Sequence, residues 1–345
     1  MNKYKLAAAL FFVVTLCGCS RTGLGDKVIV KALLVDYQQE YTAQVLALEP
    51  QPSADAGEAA ETLRLIEGSG ESLMEAIGHA EASSAEELFY GQNELLLLGP
   101  GIQQAGITEC CRFLYENSAG RPNMAVWGID IPVTEHPLTE ENADTILERI
   151  QRLGERGEFH TYLYQLASAT DGSLFPLLQL SGQDTVQVKS LVLYQKGRPM
   201  HSFTGSAMEL ASLLSGQSGT GQLEVKTENG PVSLTIRSPK LIYECTEQSD
   251  EMQLSIHFTG HVEQMTGELL PVTREGRRAL LNQINEQLGQ TATAVIQQAF
   301  APDTDLFGFL NRFCNRNERL AKALAANNTL YQSDCVKFSS NLQLL

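Results

Sequence analysis

Two cysteines near the start of the chain are the residues best placed to undergo chemistry. Cys17 and Cys19 flank Gly18 at the end of an apolar run, residues 6–16, that follows two lysines. This run is too short to span the ~30 Å hydrocarbon core of a bilayer, which needs about 20 helical residues. A charged start followed by a short apolar segment is typical of a signal peptide. The thiols at its end are therefore candidates for modification during export.

The residues around Cys19 resemble the bacterial lipobox, in which leucine and glycine stand three and one residues before a cysteine. Gly18 leaves the Cys19 thiol uncrowded, whereas Cys17 follows the larger Leu16. We therefore expect residues 1–18 to be removed as a lipoprotein signal peptide and Cys19 to carry the lipid. A thioether-linked diacylglycerol and an amino-terminal acyl chain would supply more than one buried chain, as stable anchoring requires. An ordinary secreted protein and a short membrane anchor are the alternatives.

The size and charge of the chain limit the number of domains and the classes of partner. The chain has 345 residues, 43% of them hydrophobic, which favours about two domains with cores of their own. Removing residues 1–18 removes two lysines, so the formal charge of −16 falls by two, to −18. Such an acidic chain argues against binding nucleic acid or anionic lipid, because both select clustered Lys and Arg. We expect a lipid anchor on the extracytoplasmic face of a membrane and a protein partner.

The remaining cysteines do not form the regular spacing of a disulfide framework. Cys110 and Cys111 follow the apolar spacing of a helix, which favours core packing over metal binding or redox chemistry. Cys314 could pair with Cys335 outside the cell, but the spacing does not establish that pair. We therefore predict no cysteine chemistry beyond the lipidation of Cys19.

No residue set in the sequence matches a catalytic template. The stretch GQSGTG, residues 216–221, has Thr220 where a nucleophile elbow needs glycine. There is no HExxH motif, P-loop or dinucleotide fingerprint. His257 and His261 could share a strand face as metal ligands do, but no third ligand is apparent near them. The sequence therefore predicts no catalytic residue, no metal site and no cofactor.

Hydrophobic spacing predicts the elements that must position these groups. Apolar strands are expected at residues 28–37, 41–50, 94–98 and 124–132, and amphipathic helices near residues 73–80, 139–158 and 273–300. Turn signals at Lys196-Gly197 and Asn229-Gly230 predict hairpins in the second half, and residues 336–344 a closing strand. The pattern predicts an α+β fold of two to three units without βα alternation. Mixed or antiparallel sheets are expected, with the long helix packed on an antiparallel meander, in domains 19–184 and 185–345.

Three segments resemble, in order, the Ger(x)C family, the lipoprotein C subunits of spore germinant receptors. They are GSGESLMEAIGHAEASSAEELFYGQNELLLLGPGIQQAGI, SLVLYQKGRPMHSFTGSAMELASLLSG and DTDLFGFLNRF. Family members usually carry a Trp-containing segment directly after the lipidated cysteine, where this chain has SRTGLGDK. Within these segments, residues 88–90 and the DLFGF stretch also fit core packing around a glycine turn.

The resemblance implies a non-catalytic subunit of a germinant receptor, required for the response to nutrient germinants. It also implies multi-pass membrane subunits as partners and a location on the inner spore membrane. Judged from the residues, a solute-binding lipoprotein of a transporter and an extracytoplasmic cell-wall hydrolase are the alternatives. The first would show two lobes of alternating βα units. The second would need a convergent acid/base or metal-binding set.

Overall fold

The structure is a computed structural model, which describes the greater part of the chain. The described residues are 27–50, 61–84, 86–117, 121–155, 159, 161–169, 172–181, 185–228, 230–237, 239–245, 252–265, 273–299, 305–315, 318, 322 and 336–344. Cys17, Cys19 and Cys335 lie outside these residues, so the predicted lipidation and the possible pair with Cys314 stay predictions.

Strands β1 to β14 and helices α1 to α8 make up the regular structure of the described residues. The strands are Lys27–Tyr37, Tyr41–Pro50, Glu61–Gly70, Glu87–Phe89, Leu95–Leu98, Ala125–Ile129, Ser173–Ser181, Thr185–Gln195, Arg198–Phe203, Thr220–Thr227, Gly230–Arg237, Lys240–Cys245, Met252–Met265 and Val336–Leu344. The helices are Leu73–Ser83, Pro100–Ala105, Ile107–Glu116, Ala143–Glu155, Leu163–Ala167, Gly205–Ser215, Arg274–Ala299 and Phe309–Cys314. One-turn 3-10 helices occupy Tyr90–Gln92 and Val133–Glu135. The predicted α+β class is confirmed.

The first sheet has nine strands with a parallel centre. Its order is β3-β2-β1-β5-β6-β7-β8-β9, and β4 pairs with the start of β1. The neighbours β1, β5, β6 and β7 run parallel, while β2 and β3 on one side and β8 and β9 on the other are antiparallel. Helices connect β5 to β6 and β6 to β7, as parallel pairing requires. The expectation that strands and helices do not alternate is therefore wrong for this sheet.

Both faces of this sheet are covered, which explains the unbroken apolar run Leu95–Leu98. Successive side chains of a strand point to opposite faces. On one face, residues such as Leu33 and Leu96 pack with α1, α2, α3 and α5. On the other, residues such as Leu34 and Leu97 pack with α4. The hydrophobic core on the face covered by α4 continues through α6 into the second sheet. The two sheets therefore share this hydrophobic cluster.

The predicted domain boundary after residue 184 falls between β7 and β8. These two strands are antiparallel neighbours over most of their length, and β9 pairs with β8 in turn. The first sheet therefore extends to Phe203, the last residue of β9. Helix α6 follows and contacts β8 and β9 of the first sheet as well as β10 of the second. A change in sequence character at residue 184 thus does not coincide with a change of sheet.

The second sheet contains β10 to β14. Strand β13 pairs antiparallel with β11 and β12 and parallel with β14, so the predicted closing strand is confirmed. The long helix α7 lies between β13 and β14 along the chain, and it contacts α6, β10 and β14. Thr273 caps α7, because its Oγ1 accepts a hydrogen bond from the Gly276 amide at 3.1 Å. The predicted apolar stripe of α7 is buried at Leu280, Ile284, Leu288, Ala292, Val295, Ile296 and Ala299.

The two predicted hairpins are present. Lys196 and Gly197 have φ values of 50° and 76°, so both central residues of the β8–β9 turn are left-handed, as a type I′ turn requires. Strands β10 and β11 pair from Thr227 and Gly230 outward. The DLFGF stretch marks the start of α8: Gly308 has a φ of 65°, and the rings of Phe307 and Phe309 lie 5.3 Å apart.

Candidate functional site

Open α/β sheets bind ligands at the carboxyl ends of their central parallel strands, and Asp36 lies at this edge of the first sheet. Asp36, near the end of β1, is only 1% exposed. Its Oδ1 accepts hydrogen bonds from the amides of Tyr37 and Gly101, both at 2.8 Å, and its Oδ2 accepts one from the Val133 amide at 3.1 Å. The buried carboxylate is therefore satisfied by the chain's own backbone.

Two glycines allow the start of α2 to reach this carboxylate. A Cβ on Gly101 would lie 1.5 Å from the carbonyl oxygen of Tyr37, and one on Gly99 would lie 2.2 Å from Cγ of Asp36. Neither distance is compatible with a side chain, so glycine is needed at both positions. The sequence Gly99-Pro100-Gly101 thus packs directly against the end of β1, in the position where a ligand of an α/β protein would lie.

Side-chain amides tie the neighbouring strands to the same region. The Nε2 of Gln103 donates to the carbonyl oxygens of Leu98 and Ile129, each at 2.8 Å, and so joins the ends of β5 and β6. The Nε2 of Gln44 lies 2.5 Å from Oε1 of Glu67, which is also 3.0 Å from Nδ1 of His136. Together with Asp36 these groups form a strand-end network, and their hydrogen bonds hold the fold together.

A second feature, the α1–α3 groove, opens to solvent on the face covered by α1 and α3. It consists of two adjoining depressions of about 600 and 320 Å³ that share Met74 of α1 and Phe113 of α3. The other described residues that line it are Tyr41, Glu71, Ser72, Leu73, Ile77, Gly78, Glu81, Tyr90, Ile102, Ala105, Gly106, Glu109, Cys110 and Asn117. The lining is mainly apolar, with acidic residues among it.

The thiol and the two tyrosine hydroxyls that line the groove are held in their neutral forms. Burial raises the pKa of the Cys110 thiol to about 12. Burial, with smaller contributions from Cys110 and Tyr37, raises the pKa of Tyr41 above its usual value. Burial, followed by the nearby Glu81 carboxylate, raises the pKa of Tyr90 as well. A thiol that stays protonated is a poor nucleophile and a poor metal ligand. The Cys110 thiol is therefore poorly suited to act as a nucleophile or a metal ligand in the groove.

Of the residues considered from sequence, Cys110 lines the α1–α3 groove, whereas His257 and His261 lie on the second sheet. Cys110 and Cys111 are buried in α3, as their spacing predicts. His257 and His261 lie on β13, and Nε2 of His261 is 2.7 Å from Oε1 of Glu263. Within the part of the chain that the structure describes, no group of three or more His, Cys, Asp or Glu residues could hold a metal ion. No helix among the described residues is both long and apolar enough to cross a membrane.

Sequence reasoning missed Asp36, the two glycines and the groove. An acidic residue at the end of an apolar strand and a Gly-Pro-Gly turn after another were available as signals. Their meeting depends on the parallel pairing of β1 with β5. Met74 was also visible as an apolar residue on the polar side of α1, next to the buried Leu73.

Comparisons with known proteins point to one family. Residues 21–169 match the model of a family described as "Spore germination protein N-terminal domain". A solved structure titled "Crystal Structure of the GerBC protein" shares the fold with a TM-score of 0.55 and 9% sequence identity, over 91% of this chain and 96% of that chain. No curated protein matches the sequence. Residues 21–169 therefore carry a spore germination protein N-terminal domain, and the chain shares the fold of the GerBC protein over nearly its whole length.

Proposed function

We propose that this chain is a lipid-anchored, non-catalytic subunit of a spore germinant receptor and is required for the response to nutrient germinants. The observation that carries the proposal is the spore germination domain over residues 21–169. The fold it shares with the GerBC protein is consistent with that domain and extends the likeness to the second half of the chain. The partners in this proposal are the multi-pass membrane subunits of the receptor.

Two properties of the chain favour binding over catalysis. The carboxylate of Asp36, at the strand ends where an α/β enzyme would bind its substrate, is bonded to three backbone amides of the chain itself. The buried thiols of Cys110 and Cys111 have pKa values raised by burial, which disfavours the reactive thiolate. The role that we infer is therefore assembly of the receptor on the membrane.

The proposed anchor is the lipid on Cys19, after removal of residues 1–18 as a signal peptide. A tether on the outer face of the inner spore membrane raises the effective concentration of the chain near its membrane partners, so a modest interface is sufficient for assembly. Replacement Cys19→Ser should abolish labelling with palmitate and release the chain from membranes or leave it unprocessed. Cys17→Ser is the matched control and should label and sediment normally. Equal labelling of the two variants would contradict the assignment.

Deletion of the gene tests the receptor role. Spores without the chain should germinate slowly with nutrients and normally with calcium dipicolinate, because the latter bypasses nutrient receptors. Pull-down of the tagged chain from spore membranes should recover multi-pass subunits. Normal germination with every nutrient tried, together with no membrane partner, would reject the proposal and favour a solute-binding lipoprotein instead.

A further inference from the structure

We propose that the α1–α3 groove binds an amphipathic segment of a membrane partner, with apolar side chains in the groove and Lys or Arg side chains against its acidic rim. The inference rests on the proposed function for the identity of the partner, the multi-pass subunit of the receptor. It adds the contact surface and the chemistry of the segment that binds there.

The first observation is an exposed apolar surface at the centre of the groove. Met74 is 61% exposed, although its neighbours Leu73 and Ile77 on α1 are buried. Its side chain lines both depressions, as does the partly buried Phe113 from α3. Exposed apolar side chains that line a cavity mark interaction sites, and the flexible methionine side chain can adjust to a partner.

The second observation is the charge of the rim. Three acidic residues line the groove: Glu71 directly before the N-cap of α1, Glu81 near the end of α1, and Glu109 in α3. All three are exposed, and none has an ion-pair partner among the described residues. The described lining contains no Lys, Arg or His. Charge complementarity therefore selects a basic segment.

The third observation is the space beside α1. A Cβ on Gly78 would meet no atom within 4 Å, so the absence of a side chain there leaves the wall of the groove open. Glycine inside a helix is less favourable than alanine by roughly 0.5–1 kcal/mol. A groove with apolar walls fits the binding mode in which spaced apolar anchors of an amphipathic segment enter between two helices.

The same charges disfavour the other occupants. A second copy of this chain carries a formal charge of −16 before processing and would bring negative charge to the acidic rim. Anionic lipid would be repelled in the same way. A basic amphipathic protein segment satisfies both the apolar floor and the three carboxylates.

Photocrosslinking in spores tests the proposal on the full-length chain. The photoreactive amino acid benzoylphenylalanine is placed at Met74 and, as the matched control, at Met200, which is 57% exposed on strand β9. The expected result is an adduct from position 74 to a multi-pass subunit, with Lys or Arg within about one helical turn of the apolar residue that is crosslinked. Position 200 should give no such adduct.

Charge reversal and blocking of the groove provide a second measurement. Glu71→Lys combined with Glu109→Lys should lower the crosslink yield at least about fivefold, because each exposed charge contributes modestly and its reversal adds repulsion. The control pair, Glu86→Lys and Glu141→Lys, changes the net charge equally on exposed residues outside the groove and should leave the yield unchanged. Gly78→Leu should also lower the yield, since its side chain would occupy the groove.

Several results would overturn the proposal. The first is an adduct yield at position 74 that does not exceed the yield at position 200. The second is an adduct to lipid or to a second copy of the chain. The third is a crosslink yield that stays unchanged when the charges of the groove are reversed. The pull-down separates this failure from failure of the receptor role. Multi-pass subunits recovered without a groove adduct would reject the groove alone. A groove adduct with a basic segment of another membrane protein would keep the groove and reject the receptor role.

Discussion

Asp36, in the strand-end network, should affect stability strongly even when the size of its side chain is kept. Asp36→Asn keeps the shape of the side chain but replaces one carboxylate oxygen with an amide NH₂. The Oδ1 position can still accept from the amides of Tyr37 and Gly101. At the Oδ2 position an NH₂ group would then face the Val133 amide, which donates a hydrogen bond in the native chain.

The size of the effect follows from the three hydrogen bonds. The unpaired, buried Val133 amide costs about 1–3 kcal/mol. The other two bonds change from charged to neutral acceptors, which are weaker by roughly 1 kcal/mol each. We therefore expect the free energy of unfolding to fall by about 3–5 kcal/mol. Since the carboxylate is buried, the loss should depend little on salt.

Urea denaturation of the chain expressed from Ser20, followed by Trp127 fluorescence, measures this change. Trp127 is the only tryptophan in the sequence and is 2% exposed, so it reports on the core of the first sheet. The control is Asp144→Asn, at an exposed residue in the first turn of α4, where loss of the charge costs about 0.3–1 kcal/mol. If Asp36→Asn were no more destabilising than Asp144→Asn, the hydrogen bonds of the Asp36 carboxylate would not stabilise the strand-end network.

Three further predictions concern the core and the groove. Ile284→Asp should destabilise the chain by about 3–5 kcal/mol in urea melts, because an unpaired charge would replace a fully buried side chain of α7, whereas the exposed control Asn282→Asp should change stability by less than about 0.5 kcal/mol. Gly101→Ala should prevent accumulation of folded protein or cost several kcal/mol, since its Cβ would overlap the Tyr37 carbonyl; a melt within 1 kcal/mol of the native chain would contradict the close packing. The Cys110 thiol should resist iodoacetamide at pH 8 until the chain unfolds, as measured by mass spectrometry. Burial raises the pKa of this thiol from 9.0 to about 12. Between these two pH values the unfolded chain loses the thiol proton while the folded chain keeps it. The stabilisation from the protonated thiol should therefore be complete below pH 9, and the free energy of unfolding should fall as the pH rises toward 12.

Local patterns in the sequence determined many of the elements and their buried faces, although the strands Glu61–Gly70 and Ser173–Ser181 were not predicted. The spacing of apolar residues predicted α1, α3, α4 and α7, and the stripe from Leu280 to Ala299 is buried almost as predicted. The hairpin at Lys196-Gly197 was equally clear, because few residue pairs adopt two left-handed conformations in succession. These features depend on residues within a few positions of one another. The likeness of the first half to a spore germination domain likewise followed from ordered segments within the sequence.

Pairing between distant segments was decided only in the tertiary structure. The hydrogen bonds of Asp36 to Gly101 and Val133 join residues separated by 65 and 97 positions. An apolar strand of four residues indicates burial but not which strands lie beside it, so the parallel centre and the continuation of the sheet past residue 184 were not predictable from periodicity. The α1–α3 groove has the same origin. Its apolar floor and its three carboxylates come from segments that meet only when α1 and α3 pack on the same face of the sheet, and no local pattern carries that information.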